Sequence, residues 1–236
     1  MSGDFPSYYN ERSLMSQTLP VIRAFVFDLD GTLIDSKLDL VNSVNAMLRQ
    51  MGRAGLPTDL VATYIGHGAP QLIASALGPE ASDEQRRTGL SLFLEHYGLH
   101  KLDATLPYPG VVEALDALAA YHMSALSNKP TNMSVDILQG LGLAKYFRSI
   151  YGGDSFEKKK PDPTGALKIL QEFGVPPSQG AMIGDSEVDV QTARNAGTLA
   201  VAVNYGFGVH DRAAHPSDLY LDCLTDLVNL TRDHHS

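Results

Sequence analysis

The chain has 236 residues, of which 44% are hydrophobic and 19% charged, so it can bury a sizeable core as one large domain or as one domain with a smaller companion. Its formal net charge of −9, from 27 acidic and 18 basic residues, argues against nucleic acid or an anionic membrane as the main partner. Cys223 is the only cysteine, which excludes an intrachain disulfide and a cysteine-based zinc site.

Residues 1–20 have no clear hydrophobic period and no apolar run of signal-peptide length, so we expect a flexible N-terminal tail on a cytoplasmic protein. No segment approaches the ~18 uninterrupted apolar residues of a membrane span. The first strand is predicted within VIRAFVF (21–27), a nearly continuous apolar run that ends at Asp28, as in a strand buried on both faces of a parallel sheet.

Further short apolar runs, each followed by polar or acidic residues, predict strands over residues 123–126, 149–151, 181–183 and 199–203. Helical patterns alternate with them over residues 111–120, 131–141, 163–173 and 187–196. This alternation predicts an α/β fold with a doubly wound parallel sheet. In such sheets ligands bind beyond the carboxyl ends of the strands, so we expect a site where these runs end.

The interval between Asp35 and Pro107 breaks the alternation, because it has no convincing strand and only helical stretches such as 38–51 and 83–97. Roughly 70 residues are too many for a bare loop in a compact domain, so we expect an inserted helical subdomain hinged near the end of the first strand. The predicted division is a tail over 1–20, a core over 21–35 and 106–236, and a helical cap over 36–105.

Asp28 and Asp30 lie two residues apart at the end of the first strand, so both carboxylates can face one site. Burying them costs free energy unless a cation or a reaction partner offsets it. Gly31 allows a sharp turn after them, and a solvated turn is an alternative explanation of the pair. A calcium loop is excluded, because its first and last positions would be Val26 and Lys37.

Two other segments carry candidate anion-binding groups. Ser127 and Asn128 precede a predicted helix, where they fit either an anion site or an ordinary helix cap. Lys160 is held between lysines and the prolines at 161 and 163, which fits a rigid counter-charge for a phosphate as well as a solvated loop.

Asp185 ends an apolar strand as Asp28 does, and Asp189 lies in the first turn of the following helix. Capping and helix-dipole compensation explain Asp189 well but explain Asp185 poorly. Carboxylates, a lysine and a hydroxyl therefore meet at one edge of the sheet. Oxygen-rich sites of this kind suit Mg²⁺, so we predict that the carboxylates hold a magnesium ion and that one of them reacts.

Four motifs occur in a characteristic order: DLDGT (28–32), SNK (127–129), Lys160 before PDP, and GDSEVD (184–189). With them, the sequence resembles the haloacid dehalogenase superfamily, in its magnesium-dependent phosphatase branch, over residues 21–222. The resemblance implies a Rossmann-like core with an inserted helical cap, and a small phosphorylated metabolite as substrate.

The resemblance implies that Asp28 is the nucleophile, forming an aspartyl phosphate, and that Asp30 is the general acid and base. Ser127 and the Asn128 backbone would bind phosphate, and Lys160 would counter its charge. A carboxylate has a reference pKa of about 3.9, so the sequence predicts that Asp28 needs no base to activate it.

The resemblance also implies a set of magnesium ligands. They would be Asp28, the Asp30 carbonyl and Asp185, while Asp189 would support the metal site indirectly or through a water.

Within the superfamily the chain resembles the phosphoglycolate phosphatases, which implies 2-phosphoglycolate as the substrate. The segments that carry this likeness are YIGHGAPQLIASAL (64–77), SNKPT (127–131), LGLAKYF (141–147), YGGD (151–154) and NYGFG (204–208).

A loop around His67 would recognise the substrate in a cap of this type. His67 is a candidate partner for a substrate carboxylate, as are Arg49, Arg53 and Lys37. For any single one of these side chains, a solvated surface group is the preferred explanation.

Several rival functions share the four motifs. A phosphomutase of the β-phosphoglucomutase kind, a pyrophosphatase and a sugar phosphatase all remain open. A metal-independent dehalogenase is disfavoured by Asp30 and Asp185, and a non-catalytic binding module by the presence of Asp28 and Lys160. The sequence leaves both a monomer and a homodimer open.

Overall fold

The computed structural model describes residues 21–228, and the tail predicted over residues 1–20 lies outside them. The strands in this part of the chain are β1 (Ala24–Phe27), β2 (Ile34–Asp35), β3 (Leu106–Pro107), β4 (His122–Leu126), β5 (Ser149–Tyr151), β6 (Gly180–Gly184), β7 (Leu199–Val203) and β8 (Leu219–Leu221). The helices are α1 (Lys37–Gln50), α2 (Thr58–Ala62), α3 (Ala69–Leu77), α4 (Asp83–His100), α5 (Val111–Ala117), α6 (Thr131–Gly140), α7 (Thr164–Phe173) and α8 (Glu187–Ala196). None of the described helices combines the length and apolar character needed to cross a membrane.

A parallel sheet of six strands in the order β5-β4-β1-β6-β7-β8 forms the centre of the molecule. Strand β1 is buried on both faces, since Phe25 and Phe27 join one hydrophobic cluster and Ala24 and Val26 join another. Helices α7 and α8 pack on the second face, against β1 and β4 and against β6 and β7 respectively. The predicted doubly wound α/β sheet is therefore confirmed.

Some elements were not predicted. The edge strand β8 and the antiparallel ribbon of β2 and β3 have only two or three residues in each strand, too few for a hydrophobic period to show. Helix α5 ends at Ala117 rather than at residue 120, because the chain turns there and the Tyr121 N–H bonds back to the Leu118 carbonyl at 2.8 Å.

Residues 36–105, all of them described, contain α1 to α4 and no strand; we call them the helical insertion. Helix α4 packs on α1 and α3. The two ends of the insertion are tied together by the β2–β3 ribbon and by Asp39, whose buried carboxylate accepts bonds from the Thr105 N–H at 2.8 Å and hydroxyl at 2.7 Å. The insertion thus leaves and rejoins the sheet at one place, beside the end of β1.

Candidate active site

The site lies where the central strands end. Asp28 follows β1, Ser127 follows β4 and Asp185 follows β6, and all three are buried. Because β1 pairs with β4 on one side and with β6 on the other, the parallel register sets these three side chains beside one another.

Lys160 is the cation at the centre of this edge. Its Nζ lies 2.6 Å from Asp28 Oδ1 and 2.7 Å from Asp189 Oδ1, and all three side chains are nearly inaccessible to solvent. One ammonium group is therefore shared by two carboxylates, which fixes the position of Asp28 at the end of β1.

The carboxylates of Asp28, Asp185 and Asp189 each offer an oxygen within 4.8 Å of the others. Burial raises the pKa of Asp28 to about 7, although Lys160 opposes the rise. Burial and the neighbouring Asp189 and Asp28 carboxylates also hold the pKa of Asp185 well above its usual range. The reference pKa that the sequence suggested for Asp28 is thus too low for this environment, and the cluster needs more positive charge to ionise fully.

The donor set fits a divalent cation. With every group ionised, the carboxylates of Asp28, Asp30, Asp185 and Asp189 and the ammonium groups of Lys129 and Lys160 leave two negative charges, which one divalent ion would balance. Asp28 uses Oδ1 for Lys160 and Asp185 uses Oδ2 for backbone N–H groups, so Asp28 Oδ2 and Asp185 Oδ1 remain for a cation. Oxygen donors of this kind are those that Mg²⁺ prefers.

The loop after β7 holds Asp185 in place. The N–H groups of Phe207 and Gly208 donate to Asp185 Oδ2 at 3.0 and 2.6 Å. Gly31 packs against the same carboxylate: its φ is +84°, and a Cβ there would lie 1.9 Å from Asp185 Oδ2. Sequence reasoning quoted the NYGFG loop only as part of a resemblance, and the structure gives it this positioning contact.

Asp189 has two roles in the structure, of which the sequence suggested the helix cap but not the bond to Lys160. Its Oδ2 accepts the Ser186 N–H at 3.2 Å and the Ser186 hydroxyl at 2.6 Å, forming a capping box at the start of α8. Its Oδ1 bonds Lys160. With both oxygens engaged, Asp189 is better placed to support the site through Lys160 than to ligate a metal directly.

Asp30 has two partners, Ser36 and Lys129, to which the sequence analysis gave no role. Its Oδ1 accepts a bond from the Ser36 hydroxyl and lies 2.8 Å from Lys129 Nζ, which also donates to the Tyr97 hydroxyl. Lys129 directly follows Ser127 and Asn128 after β4, so its position in the sequence already places it near the edge of the sheet. Tyr97 lies in α4 of the helical insertion, and nothing local in the sequence marks it.

Ser127 and Asn128 follow β4 as predicted, but the Asn128 side chain has a different contact from the expected backbone role. Its Nδ2 donates to the carbonyls of Gly66 at 2.9 Å and Lys160 at 3.0 Å, joining the helical insertion to the Lys160 loop. Ser127 Oγ accepts the Lys129 N–H at 3.2 Å.

His67 lies at the outer side of the site. It lines an open groove with Gln71 and Lys158, and its carbonyl accepts a bond from Lys159 Nζ. It does not line the inner pocket described next, and neither do the other three cap candidates, Lys37, Arg49 and Arg53. A contact between His67 and a substrate therefore stays a prediction.

A small pocket of about 40 Å³ lies between the helical insertion and the sheet edge. Asp28, Asp30, Ser127 and Lys129 line it, with Tyr97 from α4. Apolar side chains form most of the rest of its wall: Leu40, Ile65, Leu72, Phe93, Leu94 and Met133. The pocket thus joins a polar floor to an apolar wall.

Comparison with known proteins agrees with this geometry. Residues 25–203 match the family model of the haloacid dehalogenase-like hydrolases. A phosphoglycolate phosphatase of Pseudomonas savastanoi pv. phaseolicola is 39% identical over 212 residues, 86% of this chain and 77% of the relative. A phosphoglycolate phosphatase of Chromobacterium violaceum is 35% identical over 218 residues, 90% of this chain and 97% of the relative.

Solved structures give the same result. The crystal structure of a predicted phosphoglycolate phosphatase from Haemophilus somnus 129pt has a TM-score of 0.84 and 30% identity, over 89% of this chain and 98% of that chain. The order of the four motifs, the sheet topology and the family match agree, and the chain belongs to the haloacid dehalogenase-like hydrolases.

Proposed function

We propose that this hydrolase is a Mg²⁺-dependent phosphatase that cleaves a small phosphomonoester, 2-phosphoglycolate above others, through an aspartyl phosphate on Asp28. The observation that carries the proposal is the position of Asp28. It ends the central strand, is held 2.6 Å from Lys160, and faces the buried carboxylate of Asp185. The phosphoglycolate phosphatases among its relatives support the choice of substrate.

Phosphate binding would use groups at the end of β4 and in the loop that precedes α7. The Ser127 hydroxyl and the N–H groups that follow it precede α6, where hydrogen-bond donors and the helix dipole favour an anion. Lys160 offers a buried positive charge beside the nucleophile. Together they would hold the phosphorus atom in front of Asp28 and counter the repulsion between carboxylate and phosphate.

Two proton transfers by Asp30 would accompany the chemistry. As a carboxylate oxygen of Asp28 attacks phosphorus, the bond to the ester oxygen breaks and Asp30 donates a proton to the leaving alkoxide. Asp30 then takes a proton from the water that attacks the aspartyl phosphate, which releases phosphate and restores both carboxyl groups. Ser36 and Lys129 hold Asp30 in position for both transfers.

A divalent cation held by Asp28, Asp185 and the Asp30 carbonyl would, when bound, offset the negative charge of the carboxylates and the phosphate. The two uncompensated charges of the cluster and the oxygens left on Asp28 and Asp185 support this assignment.

The test is phosphate release from purified protein, with and without Mg²⁺, on 2-phosphoglycolate, pyrophosphate, glucose 1-phosphate and an aryl phosphate. We expect a Mg²⁺-dependent preference for 2-phosphoglycolate that Asp28→Asn abolishes. Asp59→Asn, which removes an exposed carboxylate in α2, is the matched control and should keep full activity. Turnover spread evenly over the substrates would overturn the choice of substrate, and release that survives Asp28→Asn would overturn the mechanism.

A further inference from the structure

Lys129 is a buried cation for which the proposed chemistry has only a positioning use. It is 6% exposed, although it follows β4 at the mouth of the site. Its Nζ lies 2.8 Å from the Asp30 carboxylate and donates to the Tyr97 hydroxyl, so a buried carboxylate partner offsets the burial of the ammonium group. Lys129 therefore keeps its charge inside the protein.

Lys129 supplies the positive charge in the lining of the inner pocket. Of the described residues that line the pocket, Lys129 is the one that carries a positive charge. Lys160 faces Asp28 and Asp189 and is shared between two carboxylates, whereas Lys129 faces one carboxylate and a neutral hydroxyl. Lys129 is thus the less compensated of the two ammonium groups.

The bonding capacity of Lys129 leaves room for a ligand. An ammonium group has three N–H donors, and the structure uses two of them, for Asp30 and Tyr97. Asp30 has a second partner in Ser36, so it stays anchored if Lys129 turns toward a ligand.

The pocket also limits what the ligand can be. Its volume of about 40 Å³ is small, which favours a short substituent on the phosphate over a bulky one. Its upper wall is apolar, with Leu40, Leu72 and Phe93, so the hydroxyl groups of a sugar would lose their hydrogen bonds there. A short leaving group with one further negative charge meets both conditions.

We infer that Lys129 Nζ binds a carboxylate of the substrate, so that the enzyme selects phosphate esters of small hydroxy acids. The inference rests on the proposed phosphatase function and assigns its substrate specificity to a residue of the core next to the phosphate site. Tyr97, from the helical insertion, holds Lys129 at the pocket by its hydroxyl and by its ring, whose centroid lies 4.5 Å from Nζ.

The experiment compares two substrates that differ only at the charged end, 2-phosphoglycolate and 2-hydroxyethyl phosphate, on the wild type and Lys129→Met. Removing a charge-assisted bond predicts that kcat/KM for 2-phosphoglycolate falls about 10- to 100-fold more than kcat/KM for 2-hydroxyethyl phosphate. Lys145→Met, which removes a lysine outside the pocket, is the matched control and should leave the ratio of the two substrates unchanged.

Lys129→Gln repeats the test with a side chain that retains hydrogen-bonding groups near Asp30 and Tyr97 but has no charge. Calorimetric titration of 2-phosphoglycolate into Asp28→Asn, with and without Lys129→Met, measures the contact without turnover. Equal losses for both substrates, or unchanged binding in the titration, would overturn the inference. A wild type that releases phosphate from neither substrate would instead overturn the proposed function.

Discussion

The sheet edge and the helical insertion meet at the same pocket but are built differently. At the sheet edge, side chains such as Asp28 and Asp185 are charged, buried and fixed by the ends of parallel strands. The insertion supplies mostly apolar wall, and its one hydroxyl at the pocket, on Tyr97, depends on how α4 packs against its neighbours. This difference agrees with the division of roles that we propose, in which the sheet edge carries the reacting groups and the insertion forms the wall around the substrate.

The largest expected effect follows from replacing the nucleophile. Asp28→Asn should lower kcat by about 10⁴-fold or more, as the loss of a covalent nucleophile does in other hydrolases. The protein should stay folded for two reasons. Lys160 retains its ion pair with Asp189, and the substitution removes a carboxylate that is buried beside other carboxylates. Phosphate release and a thermal melt check both parts. A large loss of stability would show that the charged edge also holds the sheet together.

Metal removal tests the charge balance of the same edge. Chelation should abolish phosphate release, and Mg²⁺ at 100 times its Kd should raise the melting temperature by about 5–10 °C. Asp185→Asn should reduce that rise, because it removes one proposed ligand oxygen. Activity that is intact in chelator would contradict the prediction and revive a metal-independent reaction.

Alanine substitutions at two glycines distinguish the effect of backbone strain from the effect of a clash with the site. Gly31→Ala and Gly52→Ala both place a side chain at positive φ, +84° and +71°, at a cost of about 1–2 kcal/mol each. Only the Gly31 variant also drives a Cβ into the Asp185 carboxylate, since nothing lies within 4 Å of a Cβ at Gly52.

Urea unfolding should therefore show a larger loss of stability for Gly31→Ala, and only this variant should lose phosphatase activity. Similar losses of stability and activity in the two variants would mean that the Gly31 contact has no part in the site.

The smallest expected effect lies at the outer rim of the insertion. Lys159→Met removes the bond from Lys159 Nζ to the His67 carbonyl, so KM should rise about two- to fivefold with little change in kcat. Lys158→Met is the matched control, since Lys158 is exposed and its Nζ is 3.9 Å from Asp162. If both variants behave like the wild type, the bond between Lys159 and the His67 carbonyl has no part in substrate binding.

Part of the charged edge could be predicted because three of its residues each follow a recognisable apolar run. Asp28, Ser127 and Asp185 end buried strands, and a parallel sheet brings such ends together whatever the loops do. The fold class follows from the same alternation of strands and helices.

The contacts that could not be predicted depend on packing between distant segments. Tyr97 reaches Lys129 only because α4 lies over the end of β4, and the hydrophobic pattern of α4 does not show which residue faces the site. The loop that holds Asp185 has no regular period, so its N–H donors at Phe207 and Gly208 were found only in the structure. A reference pKa likewise carries no information on burial, which raises the pKa of Asp28.

The ribbon of β2 and β3 has a consequence for how this architecture changes over time. Because Asp35 pairs with Leu106 and Asp39 bonds the backbone at 104 and 105, the chain enters and leaves the insertion at neighbouring points. A direct connection across that gap would close the sheet without any of the four helices. The four helices are therefore attached at a single place, so changes within them would leave the strand ends that carry Asp28 and Lys129 where the sheet holds them.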